Sequence, residues 1–143
     1  MATLTAANSV LTLTVAGLFT VGQRIQGFAT DDAFTSTAIA TADVAMGVDA
    51  RLSAGYTPVP KPITIALQAD SESNAVFEAW VATQDQLLEA LEAELGIAIP
   101  SIRRRYTCLR GFLTSQPPIP DARRILGPRR YTITFESIFS VPI

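Results

Sequence analysis

The sequence predicts a mainly β fold with one long α-helix, an α+β domain. Two patterns carry that reading. Apolar residues alternate with polar ones near both ends of the chain, at the period of a half-buried strand, and a one-sided apolar stripe at helical spacing lies between them. Length and composition set the scale: 143 residues, 48% hydrophobic and 17% charged, suffice for one core and are too few for two comfortable ones. The expected organisation is therefore one domain over 1–143.

The segment "SVLTLTV" (9–15) sets Leu11, Leu13 and Val15 against Thr12 and Thr14, which predicts the first strand. The longer apolar run over 10–21 is too short to span a bilayer, and no Lys or Arg precedes it. The expectation is a soluble chain that is not secreted and does not insert into a membrane. "RIQGF" (24–28) opens a second strand. Residues 29–46 are almost all Ala, Thr, Ser and Asp, with Phe34 and Ile39 the main bulky residues before Val44. Such a stretch buries little apolar area and does not fold profitably alone. It reads either as a surface loop or as an extended arm ordered against another molecule.

Pro58, Pro60 and Pro62 forbid a helix and favour an extended edge. Ile63, Ile65, Leu67 and Ala69 then alternate as a strand. "DSESN" (70–74) is rich in helix-capping residues, and a helix is expected from about Asn74 to Leu95, stopped by Gly96. Phe77, Trp80, Val81, Leu88, Leu91 and Leu95 share its apolar stripe, which Gln84 interrupts. Asp85, Glu89, Glu92 and Glu94 lie off the stripe, and this helix holds no Lys or Arg. Tyr106 and Cys108 mark a further strand ending before "SQPPIP". "DARRILG" (121–127) suits one helical turn. "YTITFESIFSVPI" (131–143) closes the chain with Tyr131, Ile133 and Phe135 against Thr132, Thr134 and Glu136.

Catalytic chemistry is poorly provided for. Histidine is absent, which removes the commonest general base and the commonest metal ligand. Cys108, the only cysteine, has no histidine partner and permits no intrachain disulfide, so a reducing compartment is the simplest setting. The adjacent pair Asp31 and Asp32 reads as a solvated turn, since neighbours in a strand point to opposite faces. No GxGxxG, P-loop or CxxC pattern occurs. The expectation is no enzyme, no cofactor and no metal.

Charge is segregated. Residues 1–100 carry 11 acidic and 3 basic side chains, and residues 101–143 carry 2 acidic and 8 basic ones. Arginine supplies 10 of the 11 basic residues, with Lys61 the only lysine. Arginine pairs rigidly with carboxylates and tolerates interfaces better than lysine. The net charge of -2 gives no global reason for nucleic-acid binding. Arg103, Arg104, Arg105, Arg110, Arg123, Arg124, Arg129 and Arg130 are thus expected to pair with the acidic half, within the subunit or in the next one.

The order of several segments resembles the tail tube protein of contractile-tailed bacteriophages. The residues that carry it are "GFATDDAF" (27–34), "MGVDARLSAGYTPVP" (46–60), "ITIALQADSESNAVFEAW" (63–80) and the closing 106–138. The chain departs from the family where a glycine is expected after "GVD": Ala50 stands there. The resemblance implies a β-sandwich or barrel-like subunit whose sheets join between copies into a ring-shaped β-barrel. It implies stacked hexameric rings forming a conduit for DNA ejection, with the chain located in the virion tail after assembly in the bacterial host cytoplasm. Its partners would be further copies of itself, the tail sheath protein outside, tape measure protein and genomic DNA in the lumen without sequence-specific binding, and the baseplate and tail terminator at the ends. Under this reading the arm at about 29–46 reaches another subunit or ring. Asp31, Asp32, Phe34, Arg103, Arg104, Arg105, Arg123, Arg124, Arg129 and Arg130 form subunit or ring contacts, and Thr132, Thr134 and Glu136 face the lumen. The alternatives are a tail terminator or a type VI secretion-like tube protein of the same fold, and a monomeric ligand-binding β-barrel.

Overall fold

A computed structural model describes residues 8–28, 33–122 and 124–143. Asp31, Asp32 and Arg123, named above as contact residues, lie outside the described residues. The elements in chain order are β1 (Val10–Val15), β2 (Phe19–Ile25), β3 (Phe34–Ser36), β4 (Ala42–Met46), β5 (Leu52–Tyr56), β6 (Lys61–Leu67), α1 (Asn74–Leu87), β7 (Ala93–Ile99), a 3-10 turn (Pro100–Ile102), β8 (Arg104–Ser115) and β9 (Arg129–Pro142). The α+β expectation holds.

Seven strands form one sheet in the order β2-β1-β7-β8-β9-β6-β3, antiparallel at every step. The long β8–β9 pair is its spine. β7 lies beside Arg104–Gly111 of β8, whereas β6 lies beside Arg129–Phe135 of β9. The sheet is therefore stepped, with its two flanks offset along the spine. The flanks meet again where Phe28 bridges Leu67 and the Gln68 N–H donates to Gly27 O at 2.9 Å. This closure curls the sheet around α1.

Burial follows the predicted alternation. Leu11, Leu13 and Val15 of β1, Ile63 and Ile65 of β6, and Tyr131, Ile133 and Phe135 of β9 all enter the core. From the helix, Phe77 and Trp80 are fully buried. The Phe77 ring stacks on Tyr131 with centroids 4.1 Å apart and planes within 9°. Gly111 allows β8 to approach β9 here: a Cβ at this position would run into the Phe135 ring.

The helix is shorter than its sequence pattern suggests. It ends at Leu87, and Leu88 is left-handed with φ 57, its N–H donating to Gln84 O. Gln84 also accepts from the Leu91 N–H through Oε1 at 2.9 Å, so the residue that interrupts the stripe fastens the turn. Leu91 and Leu95 are consequently not helical. "AELGIAI" satisfies both a helical and an alternating pattern, and pairing with β1 and β8 on either side selects the strand. Glu92 thus precedes β7 and Glu94 lies within it, away from any helix terminus. The capping residues act differently as well. Ser73 makes no side-chain cap and instead accepts from the Gln26 N–H, while Asn74 Nδ2 donates to Gln68 O and Ala69 O.

Two further segments differ from the sequence reading. On either side of residue 123, which lies outside the described residues, the Gly127 N–H donates to Asp121 O and Ala122 bridges Leu126, so the described residues of this segment do not make the expected helical turn. The second strand begins at Phe19, before the segment expected to open it.

Between β3 and β6 the chain forms a separate two-stranded ribbon, β4–β5. Its connection carries Ala50 at φ 64, where the resemblance leads one to expect glycine. A side chain at such a φ is strained by about 1 kcal/mol or more. Ala50→Gly should therefore raise the ribbon's protection against amide hydrogen exchange or leave it unchanged, and a clear drop would contradict this geometry. Phe77→Ala should destabilise the subunit by about 3–5 kcal/mol in urea unfolding, because it opens a cavity against Tyr131.

Candidate functional site

The outer face of the curled sheet is dominated by threonine. Cross-strand partners share a face, so the registers Thr35–Thr64–Thr132 and Thr12–Gly96–Thr107 place these hydroxyls together on the side opposite the core. The Thr64 and Thr132 hydroxyls lie 3.1 Å apart, and those of Thr114 and Thr134 lie 3.0 Å apart. Thr114 also lies 3.2 Å from Thr132 O, its hydroxyl as donor. Thr132 and Thr134 are half-buried and Glu136 is exposed, while Tyr131, Ile133 and Phe135 face inward. Arg110 comes within 3.5 Å of Glu136, both exposed, a pairing worth little by itself. Lys61 Nζ donates to Glu136 O at 3.1 Å.

The arginines divide into two kinds. Arg129 departs from the expectation of an intersubunit contact. It is 4% exposed, its Nη1 donates to Glu78 Oε1 at 2.7 Å, its Nη2 donates to Pro117 O at 3.0 Å, and its guanidinium lies over the Tyr131 ring. This arginine fastens α1 to the sheet. Arg103, Arg104, Arg105, Arg124 and Arg130 are exposed. No ion pair joins Arg103, Arg104, Arg105 or Arg124 to an acid among the described residues, and the same holds for Asp85, Glu89, Glu92 and Glu94. Among the described residues the chain thus carries charges of both signs without an ion-pair partner. Phe34 lies in the short edge strand β3 and packs against the core, half-buried.

A run of exposed apolar side chains lies on the ribbon, which the sequence reading did not single out. The register pairs Ala42 with Tyr56, Val44 with Ala54 and Met46 with Leu52. All six share one apolar face, while Asp43, Ala45, Ser53 and Gly55 occupy the other. Every residue of both strands is exposed. The signal was present as alternation on either side of "GVDA". It was hidden because small residues dilute it and because the arm was drawn to end at residue 46, midway through the ribbon.

Nothing here gathers for catalysis. Cys108 is fully buried, and burial pushes its thiol up to about 11. Burial raises the Tyr131 hydroxyl too, opposed in part by Arg129. Among the described residues, no group of three or more His, Cys, Asp or Glu side chains is placed to hold a metal ion, and no helix is long and apolar enough to cross a membrane.

The comparisons with known proteins bear on this geometry. The profile of a family described as tail fiber protein gp32 matches residues 2–139. The chain belongs to that family. No curated protein matches it. Among solved structures, a chain of the anti-feeding prophage baseplate superposes with a TM-score of 0.63 at 10% identity, covering 99% of this chain and 98% of the other. A chain of the anti-feeding prophage cap, the AFP tube terminating cap, gives 0.59 at 11% identity, covering 100% and 93%. A chain of the PVC sheath-tube complex in the extended state gives 0.57 at 11% identity, covering 93% and 88%. The gp32-family chain therefore shares the fold of these three chains, a mixed α+β architecture with one helix against an extensive sheet. The expected family resemblance is correct at the level of fold.

Two outcomes follow for the gp32-family subunit. Glu78→Ala leaves a buried guanidinium without its carboxylate and should cost about 1–3 kcal/mol of stability. The Cys108 thiol should resist thiol reagents until the protein unfolds. Because its folded pKa lies above the unfolded one, the stability it contributes is fully present below about 9 and is lost as pH rises toward about 11. Cys108→Ala should flatten that part of a pH–stability curve; an unchanged slope would rule the assignment out.

Proposed function

We propose that this protein is a structural subunit of a bacteriophage contractile tail that polymerises with copies of itself into the tail tube. The observation that carries the proposal is the β4–β5 ribbon, whose apolar face of Val44, Met46, Leu52 and Tyr56 is exposed along its whole length. A two-stranded ribbon is marginal by itself in water. Its order is best explained by a surface on a neighbouring subunit or ring that covers that face. The contact arm is accordingly assigned to residues 42–56, with 29–41 leading into it.

Charge and fold support the same reading. Arg103, Arg104, Arg105, Arg124 and Arg130 are assigned to contacts between subunits or rings, together with Asp31, Asp32, Phe34 and Arg123. Arg129 is omitted because its guanidinium is already used within the subunit. The threonine face, with Thr132, Thr134 and Glu136, is assigned to the lumen. Hydroxyls bonded to one another offer DNA little attraction, and phosphate would meet cations on this face where Arg24, Arg105 and Arg130 share it by register and alternation. The rings are hexameric and stacked, with sheath outside, tape measure protein and DNA inside, and baseplate and terminator at the ends. The role is structural and requires no cofactor.

The family's description as a tail fiber protein supports a second reading, a component of a fibre. Negative-stain microscopy of the purified protein separates the two. Hollow tubes with a continuous axial channel support the tube, and thin solid filaments support the fibre. Val44→Glu combined with Met46→Glu should abolish tubes and leave a folded subunit with unchanged thermal unfolding. Long tubes from this variant would sink the assignment of the ribbon.

A further inference from the structure

We infer that the free flank of β9, Glu136–Pro142, receives strand β2 of a second copy in a parallel β-ladder. This rests on the tube reading and specifies how neighbouring subunits join.

The step in the sheet leaves this flank open. β6 pairs with β9 only as far as Phe135, while β9 runs on to Pro142 with β8 its only strand neighbour there among the described residues. Glu136 O is taken by Lys61 Nζ at 3.1 Å, and among the described residues the alternate N–H and C=O groups beyond it, over 137–142, point away from β8 toward no other strand. Open space of about 730 Å³ borders the start of this flank, between Pro58, Pro60 and Lys61 on one side and Ser137 and Phe139 on the other. At the opposite margin, β2 is an edge strand of seven residues, Phe19–Ile25, with β1 as its only strand partner among the described residues. Its Gln23 amide donates to Val21 O, which occupies one acceptor of that edge. The flank of β9 is seven residues long as well.

Register shows that the two margins lie at one level of the sheet. Arg24 pairs with Thr12, Thr12 with Gly96, Gly96 with Thr107, and Thr107 with Phe139. A second copy moved sideways, without sliding along the strands, therefore brings β2 to the β9 flank. Four antiparallel steps from β9 to β2 give these strands the same sense, so the junction is parallel. Both margins also expose apolar side chains, with Val21 73% exposed and Phe139 56% exposed.

The two surfaces are different, so the contact is head-to-tail. Such contacts generate a closed ring when the rotation closes, not a two-fold dimer. Closure also removes both open margins, which otherwise invite aggregation.

The test uses residues 1–143 with paired cysteines, Arg24→Cys with Phe139→Cys and, one same-face step further along β9, Arg24→Cys with Val141→Cys. Native Cys108 is fully buried and stays silent. Under mild oxidation, at least one double variant should give a covalent ladder on denaturing gels that ends at a closed ring, while each single variant stays monomeric. Val21→Lys should raise the protein concentration needed for assembly at least tenfold with unchanged thermal unfolding. Tubes seen by microscopy without cross-linking of either pair, or with Val21→Lys assembling as the parent does, overturn this junction and leave the tube reading intact. A protein that stays monomeric at every concentration overturns both.

Discussion

The stack of Phe77 on Tyr131 is the contact on which the architecture turns. Its edges are closed by polar groups: the Tyr131 hydroxyl donates to Asn74 Oδ1 at 3.0 Å, and the Arg129 guanidinium lies 5.4 Å from the Tyr131 ring centroid. Asn74 in turn holds the chain leaving β6, and Arg129 holds both Glu78 and the loop at Pro117. One aromatic pair thereby fixes the angle of the helix, the end of β6 and the entry to β9. The remaining core residues fill the space that this arrangement defines.

The subunit divides its resources unevenly. Large side chains are concentrated beneath the curled sheet, where burial yields the most stabilisation. The outer face is rich in Thr, and the ribbon sets Ala, Ser and Gly among its four larger apolar residues, small side chains that lose little or modest entropy on ordering. Segments of that kind contribute little to the isolated chain, and the uncompensated charges on α1 and the β7–β8 turn contribute less still. The parts that do least for the monomer are the ones left free for contact with other molecules.

Much of the fold was legible in the sequence because burial enforces periodicity. The alternations in β1, β6 and β9 and the Phe77–Trp80 stripe needed no tertiary information. The end of the helix was not legible, since "LEAELGIAI" supports two periods and the choice depends on β1 and β8, both distant in the chain. The polar face of β9 could be read from its threonines. The partners of the arginines could not: Arg129 and Arg130 are adjacent in sequence, yet strand alternation sends the first into the core and the second outward. The ribbon was missed because its apolar face is built partly from alanine, which gives a weak signal until register is known.

The burial of Cys108 has a consequence beyond reactivity. With its only sulfhydryl sealed beneath the sheet, the folded chain offers no handle for adventitious disulfide links to its neighbours. In the polymer proposed above, copies of the chain would therefore meet an oxidising medium without becoming covalently locked to one another.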